Sequence, residues 1–126
     1  MDFILAILMV IIGAGIPAYW LIYWASGRLP RGFRTVVNGG YIVFHILAEL
    51  VAAGLCLAAG AVILFHGFPQ AGALVFLASG ALIYAGVNSL GWSTLNDRRM
   101  VIIFLLVSLI AVSAAFYAQS GWQQFG

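Results

Sequence analysis

Charge is what this sequence has least of. Only 6% of its 126 residues are Asp, Glu, Lys or Arg, and lysine is absent, so the five cations are Arg28, Arg31, Arg34, Arg98 and Arg99. A soluble domain carries about a quarter of its residues as charges. A chain this poor in them, and 65% hydrophobic, cannot cover a water-facing surface. Motifs for aqueous chemistry are missing too: there is no Gly-rich phosphate loop, no H-E-x-x-H, and no nucleophile with a base and an orienter. With short loops as the only platform, no enzyme working in water is expected, and an intramembrane enzyme acting on a lipid or quinone stays open with no motif to support it. The single cysteine, Cys56, allows no intrachain disulfide and no thiolate zinc cluster. It reads as a small packing residue. No cofactor and no metal site is expected. A net charge of +2 would hint at nucleic acid in a soluble protein. Here the cations sit in short loops beside apolar runs, where they meet lipid headgroups instead.

What the sequence does have is four long apolar runs, Phe3–Ala25, Tyr41–Phe65, Ala71–Trp92 and Met100–Ala118. Each approaches the roughly 20 residues that a helix needs to cross a hydrocarbon core of about 30 Å. The expected fold is all-α: one domain, a polytopic bundle of four transmembrane helices. The first run lacks a basic segment before it and exceeds the apolar stretch of a secretory signal, so it is read as a retained helix. Pro17 removes a backbone hydrogen bond within it and predicts a kink, and Gly13 and Gly15 leave room for a neighbouring backbone. The run ends in Tyr19, Trp20, Tyr23 and Trp24 ahead of Arg28, which reads as an aromatic belt with a basic anchor.

The connections set the topology. Ser26 to Gly40 holds three arginines and Pro30, with Asn38-Gly39-Gly40 expected as a flexible turn. His66 to Gln70 is a nearly uncharged turn, and Ser93 to Arg99 holds Asp97 and two arginines. Every arginine thus falls in the first or third loop. The positive-inside rule places those loops in the cytoplasm and both termini outside, for a multi-pass protein of the cell (inner) membrane.

Against this background one residue stands out. Glu49 is the only carboxylate far from a chain end or loop, and His45 lies four residues before it, on the same helical stripe. Ionisable groups are expensive in hydrocarbon and mark a functional-site hypothesis. By depth, Glu49 falls on the order of 10–15 Å from the cytoplasmic end of its helix at 1.5 Å per residue. Tyr84, Asn88 and Ser89 of the third helix reach the same inner half, as do Tyr19 and Tyr23 of the first. The expected ligand or proton site is therefore His45, Glu49, Tyr84, Asn88 and Ser89. The pair suits a proton relay, because a carboxyl beside an imidazole can pass a proton. Two ligands are too few for a metal without a second subunit. The pair could equally be a packing device in which Glu49 is hydrogen-bonded to a neighbour and fixes the helices.

Small residues predict close contacts. Ala48, Ala52, Cys56 and Gly60 form a ridge on the second helix, beside the face that carries His45 and Glu49. Gly72, Phe76, Gly80, Tyr84 and Asn88 alternate small with aromatic along an i+4 line on the third. Ser108, Ala111, Ala115 and Ala118 do the same service on the fourth.

The segments HILAEL (His45 to Leu50) and YAGVNSLGW (Tyr84 to Trp92) resemble a pattern in small four-helix membrane proteins of prokaryotes, a group without an established activity. The resemblance implies four spans and gives weight to His45, Glu49, Asn88 and Ser89. Function is expected to be the binding or movement of a proton, ion or small molecule at the inner-half polar site. Its partners would be the lipid bilayer and further copies of the chain in a homo-oligomer. The alternative is a non-catalytic accessory subunit among partner membrane subunits.

Overall fold

The computed structural model describes residues 2–27, 36–96 and 98–125, with side chains for 2–27, 44–91, 93–94 and 98–121. Arg28, Pro30, Arg31, Arg34 and Asp97 lie outside the described residues, as do the side chains of Tyr41 and Trp92. The described chain forms four helices: α1 (Asp2–Ala25), α2 (Val36–His66), α3 (Phe68–Asn96) and α4 (Arg98–Phe125). All four are long and apolar enough to cross a membrane.

The surface confirms the class. Outward-facing positions are Leu, Ile, Val and Phe, among them Phe44, Phe65 and Phe116. His45, Glu49, Ser79, Ser89 and Ser93 are buried. This arrangement suits a protein whose solvent is hydrocarbon, where apolar side chains lose nothing by facing out and polar ones need partners.

The helices run past the apolar segments that define them. Asn38-Gly39-Gly40, expected as a turn, lies inside the first turns of α2. Glycine costs a helix only about 1 kcal/mol relative to alanine, less than leaving backbone groups unpaired near the bilayer. The second loop shrinks to Gly67, whose φ of 86° is the left-handed conformation in which helices commonly stop. Its N–H closes α2 on Ile63 O at 3.0 Å, and Pro69 then occupies the first turn of α3, where its missing N–H costs nothing. Pro17 sits inside α1 without ending it.

Neighbours in sequence are neighbours in space: α1 packs on α2, α2 on α3 and α3 on α4. The α1–α2 contact is backbone on backbone. A Cβ on Gly60 would stand 3.0 Å from Ala6 O and 2.7 Å from Val10 Cγ2, and one on Gly13 would stand 2.8 Å from Ala53 O. Ala52 and Cys56 of the same ridge are fully buried. On α3 the middle of the expected line faces outward: Phe76, Gly80 and Tyr84 are exposed, while Gly72 at its start is buried and Asn88 at its end is half-buried. The reason is geometric. At about 3.6 residues per turn, each i+4 step overshoots by roughly 40°, so a strict i+4 line crosses the outer face from one flank of the helix to the other. The buried stripe instead mixes steps of three and four: Ala71, Val75, Ala78, Leu82, Ala85 and Ser89.

The bundle does not close. α1 and α4 are not packed along their lengths. They are bridged by the Tyr19 and Phe104 rings, 6.2 Å apart and edge to face. A second tie is the Tyr117 hydroxyl, which donates to Asp2 Oδ1 at 2.6 Å. The seam between these two helices is the feature that positions the site.

Candidate functional site

Glu49 is 3% exposed and gathers donors from three helices. From α1, Trp20 Nε1 donates to Oε2. From α3, Ser89 Oγ donates to Oε1. From one turn earlier on α2, His45 Nε2 stands 3.2 Å from Oε1. Ser89 Oγ also lies 3.5 Å from His45 Nε2 and 2.8 Å from Ala85 O. Since a hydroxyl has one proton, Ser89 serves the carboxyl or its own helix at any moment. Below it, Ser93 Oγ donates to Ser89 O at 2.7 Å. The Trp20 and His45 rings meet edge to face at 6.2 Å.

The cluster accommodates either position of one shared proton. With Glu49 ionised and His45 protonated, the imidazolium, the indole and the hydroxyl all donate to the carboxylate. With the proton on Glu49 Oε1, the carboxyl donates to neutral His45 and Ser89 turns to Ala85 O. Both arrangements leave every named group paired, which matters where an unpaired polar group in hydrocarbon is costly.

Of the expected site residues, the structure brings His45, Glu49 and Ser89 together. Asn88 is half-buried beside Ser89, and Tyr84 is 64% exposed on the outer face of α3. Trp20 is the residue that sequence reasoning misplaced. Its place among Tyr19, Tyr23 and Trp24 predicts an interfacial belt; Trp24 faces out, but Trp20 is buried and turned onto the carboxylate. A signal for it exists: Trp20 follows Gly13, a point of close approach to α2, by seven residues, about two turns.

The cluster forms one wall of a cavity of about 330 Å3 on the α1–α4 seam. Ile12, Gly15, Ile16 and Tyr19 line it from α1, with Leu82 and Gly86 from α3 and Met100, Phe104 and Val107 from α4. Glu49 and Ser89 complete the lining. Apart from Tyr19 Oη they are its polar side chains. The rim is not sealed: Ile11 and Ile103, which flank it, are 61% and 49% exposed. Further along the same seam a second hollow of about 410 Å3 lies between Leu5 and Leu8 of α1 and Leu109, Ile110 and Tyr117 of α4. An apolar recess of roughly 300–1,000 Å3 with a few convergent polar groups is the usual form of a small-molecule site.

The chain belongs to the family described as Domain of unknown function (DUF8058), whose model matches residues 1–124. No curated protein and no solved structure matches it.

Proposed function

We propose that this member of the family is a small integral membrane protein that binds a small molecule at the Glu49 cluster, with a shared proton as part of the site. The observation that carries the reading is the coincidence of two features. The only buried carboxylate among the described residues forms part of the wall of an open apolar cavity. A carboxylate used only to pin helices has no need of an adjoining void, and voids are costly in close-packed interiors.

The test uses Trp20 as a built-in reporter, because its indole N–H shares Glu49 Oε2 with anything that reaches the carboxyl from the cavity. The 15N-labelled protein in phosphatidylcholine nanodiscs is titrated with a solvent extract of its source membrane. The indole signal, assigned with Trp20→Phe, is expected to shift while that of Trp24 stays. No movement of the Trp20 signal, with the others equally still, would count against a ligand at this carboxyl.

The proposed orientation places both termini outside and the cluster in the cytoplasmic half. It is supported by the distribution of the arginines, three between α1 and α2 and two, Arg98 and Arg99, exposed at the start of α4. A C-terminal alkaline phosphatase fusion is expected to be active and a C-terminal green fluorescent protein fusion dark. The reverse pattern would put the site in the other leaflet.

A further inference from the structure

We infer that the cavity takes a membrane-dissolved amphiphile with a hydroxyl head, which enters from the bilayer between α1 and α4 and donates its hydroxyl proton to Glu49 Oε2. This rests on the site reading above and adds the class of ligand and its route.

The route follows from the seam. Among the described residues continuous packing joins only sequence neighbours, so α1 and α4 stand beside each other without it, and the cavity rim at Ile11 and Ile103 faces outward, where the acyl chains lie. A molecule already dissolved in the bilayer reaches the recess sideways without crossing water. The second hollow continues the trough toward Leu5 and Leu109. A tail longer than the first cavity therefore has an apolar bed along the same seam.

The head group follows from counting acceptor positions. A carboxylate accepts hydrogen bonds at about four lone-pair sites. Oε1 has two donors, Ser89 and His45, and Oε2 has Trp20. One site on Oε2 remains, on a residue that lines the cavity. The ligand group that meets it must be a donor. A hydroxyl supplies one donor, which matches the one open acceptor site. An ammonium would bring three donors to a recess whose remaining lining is almost all hydrocarbon. A bare metal ion fits worse. Among the described residues no three His, Cys, Asp or Glu side chains come together, and the rest of the lining offers hydrocarbon. The head is also small, because the polar part of the lining is confined to Glu49, Ser89 and Tyr19.

Two variants separate the parts of the inference. Glu49→Gln keeps an acceptor oxygen but removes the charge-assisted component of the hydrogen bond. Gly15→Leu narrows the cavity at its lining: a Cβ on Gly15 meets nothing within 4 Å, so the side chain starts in open space and not against a neighbouring helix. The experiment follows thermal unfolding in phosphatidylcholine nanodiscs against the membrane mole fraction of dodecanol, dodecyl methyl ether and dodecylamine, probes that share one tail. Dodecanol is expected to raise the unfolding temperature of the wild type, with the ether at least about tenfold weaker. Glu49→Gln should bind dodecanol about tenfold more weakly, the loss of roughly 1.4 kcal/mol. Gly15→Leu should unfold at or above the wild-type temperature without probe, since leucine favours a helix over glycine, and should show a weaker response to it. Equal binding of ether and alcohol would overturn the hydroxyl contact, and tighter binding of the amine would replace it with a cation. An undiminished response in Gly15→Leu would be an effect on the bilayer and would overturn the cavity. If the membrane extract moves the Trp20 signal while dodecanol does not bind, the site reading stands and the hydroxyl assignment falls. If neither acts, both fall.

Discussion

Glu49→Leu is expected to lower the stability of the bundle by on the order of 2–6 kcal/mol, because it takes the acceptor from two buried donors at about 1–3 kcal/mol each. The donors are Trp20 Nε1–H and His45 Nε2–H, both held in a site closed to water. Ser89 escapes, since its hydroxyl already has Ala85 O within 2.8 Å. The loss arises from unpaired groups more than from missing attraction. Interhelical hydrogen bonds in membranes average only about 0.6 kcal/mol, since separated helices find other partners. Glu49→Gln is different in kind. Its carbonyl accepts from Trp20, and its amide donates to Ser89 Oγ and to the Nδ1-protonated tautomer of His45. Every member stays paired, so Gln is expected to unfold close to the wild type. Unfolding in nanodiscs, followed by near-ultraviolet circular dichroism, separates the two. Equal loss in both variants would mean that ionisation itself holds the helices together.

Gly60→Leu is the second large effect. The added side chain would start 3.0 Å from Ala6 O, and a backbone carbonyl cannot rotate aside. Overpacking of this sort costs about 1–3 kcal/mol and sometimes more. The upper part of that range applies here, because α1 is held mainly by its contact with α2. Cys56→Leu, at a fully buried position of the same ridge, should act in the same direction. Gly54→Leu is the control: a Cβ there meets nothing within 4 Å, and its stability should be at or above the wild type, since leucine favours a helix over glycine by up to about 1 kcal/mol. If Gly60→Leu is as stable as Gly54→Leu, the α1–α2 crossing is not where the structure puts it.

Most of the architecture could be read from the chain, and what escaped did so for physical reasons. Apolar length alone identifies a span, so all four helices were legible; their ends were not, because a helix keeps its hydrogen bonds by continuing through Asn38-Gly39-Gly40. The small-residue ridge of α2 was legible because Ala52, Cys56 and Gly60 stand close to one face. The line from Gly72 to Asn88 misled because equal spacing in sequence becomes rotation on the helix, and it carried Tyr84 to the outside. His45 and Glu49 were legible as titratable groups inside an apolar span, and Ser89 as a polar group of the same depth. Trp20 was hidden among its aromatic neighbours: four rings at a helix end have one ordinary explanation, and only packing shows that one of them turns inward. The cavity had no sequence signal at all. It exists because α1 and α4 do not pack, which is a property of the assembled bundle.

The central claim is that Glu49 is a ligand group and not only a peg between helices, and Glu49→Gln tests it most directly. The measurement is the dodecanol-dependent rise in unfolding temperature of Glu49→Gln beside that of the wild type, under identical nanodisc conditions. The account expects the two proteins to unfold alike without the probe and the Gln variant to need about ten times more of it for the same rise. A Gln variant that matches the wild type in both respects, while Glu49→Leu alone is unstable, would show that the cluster serves packing and would contradict the account.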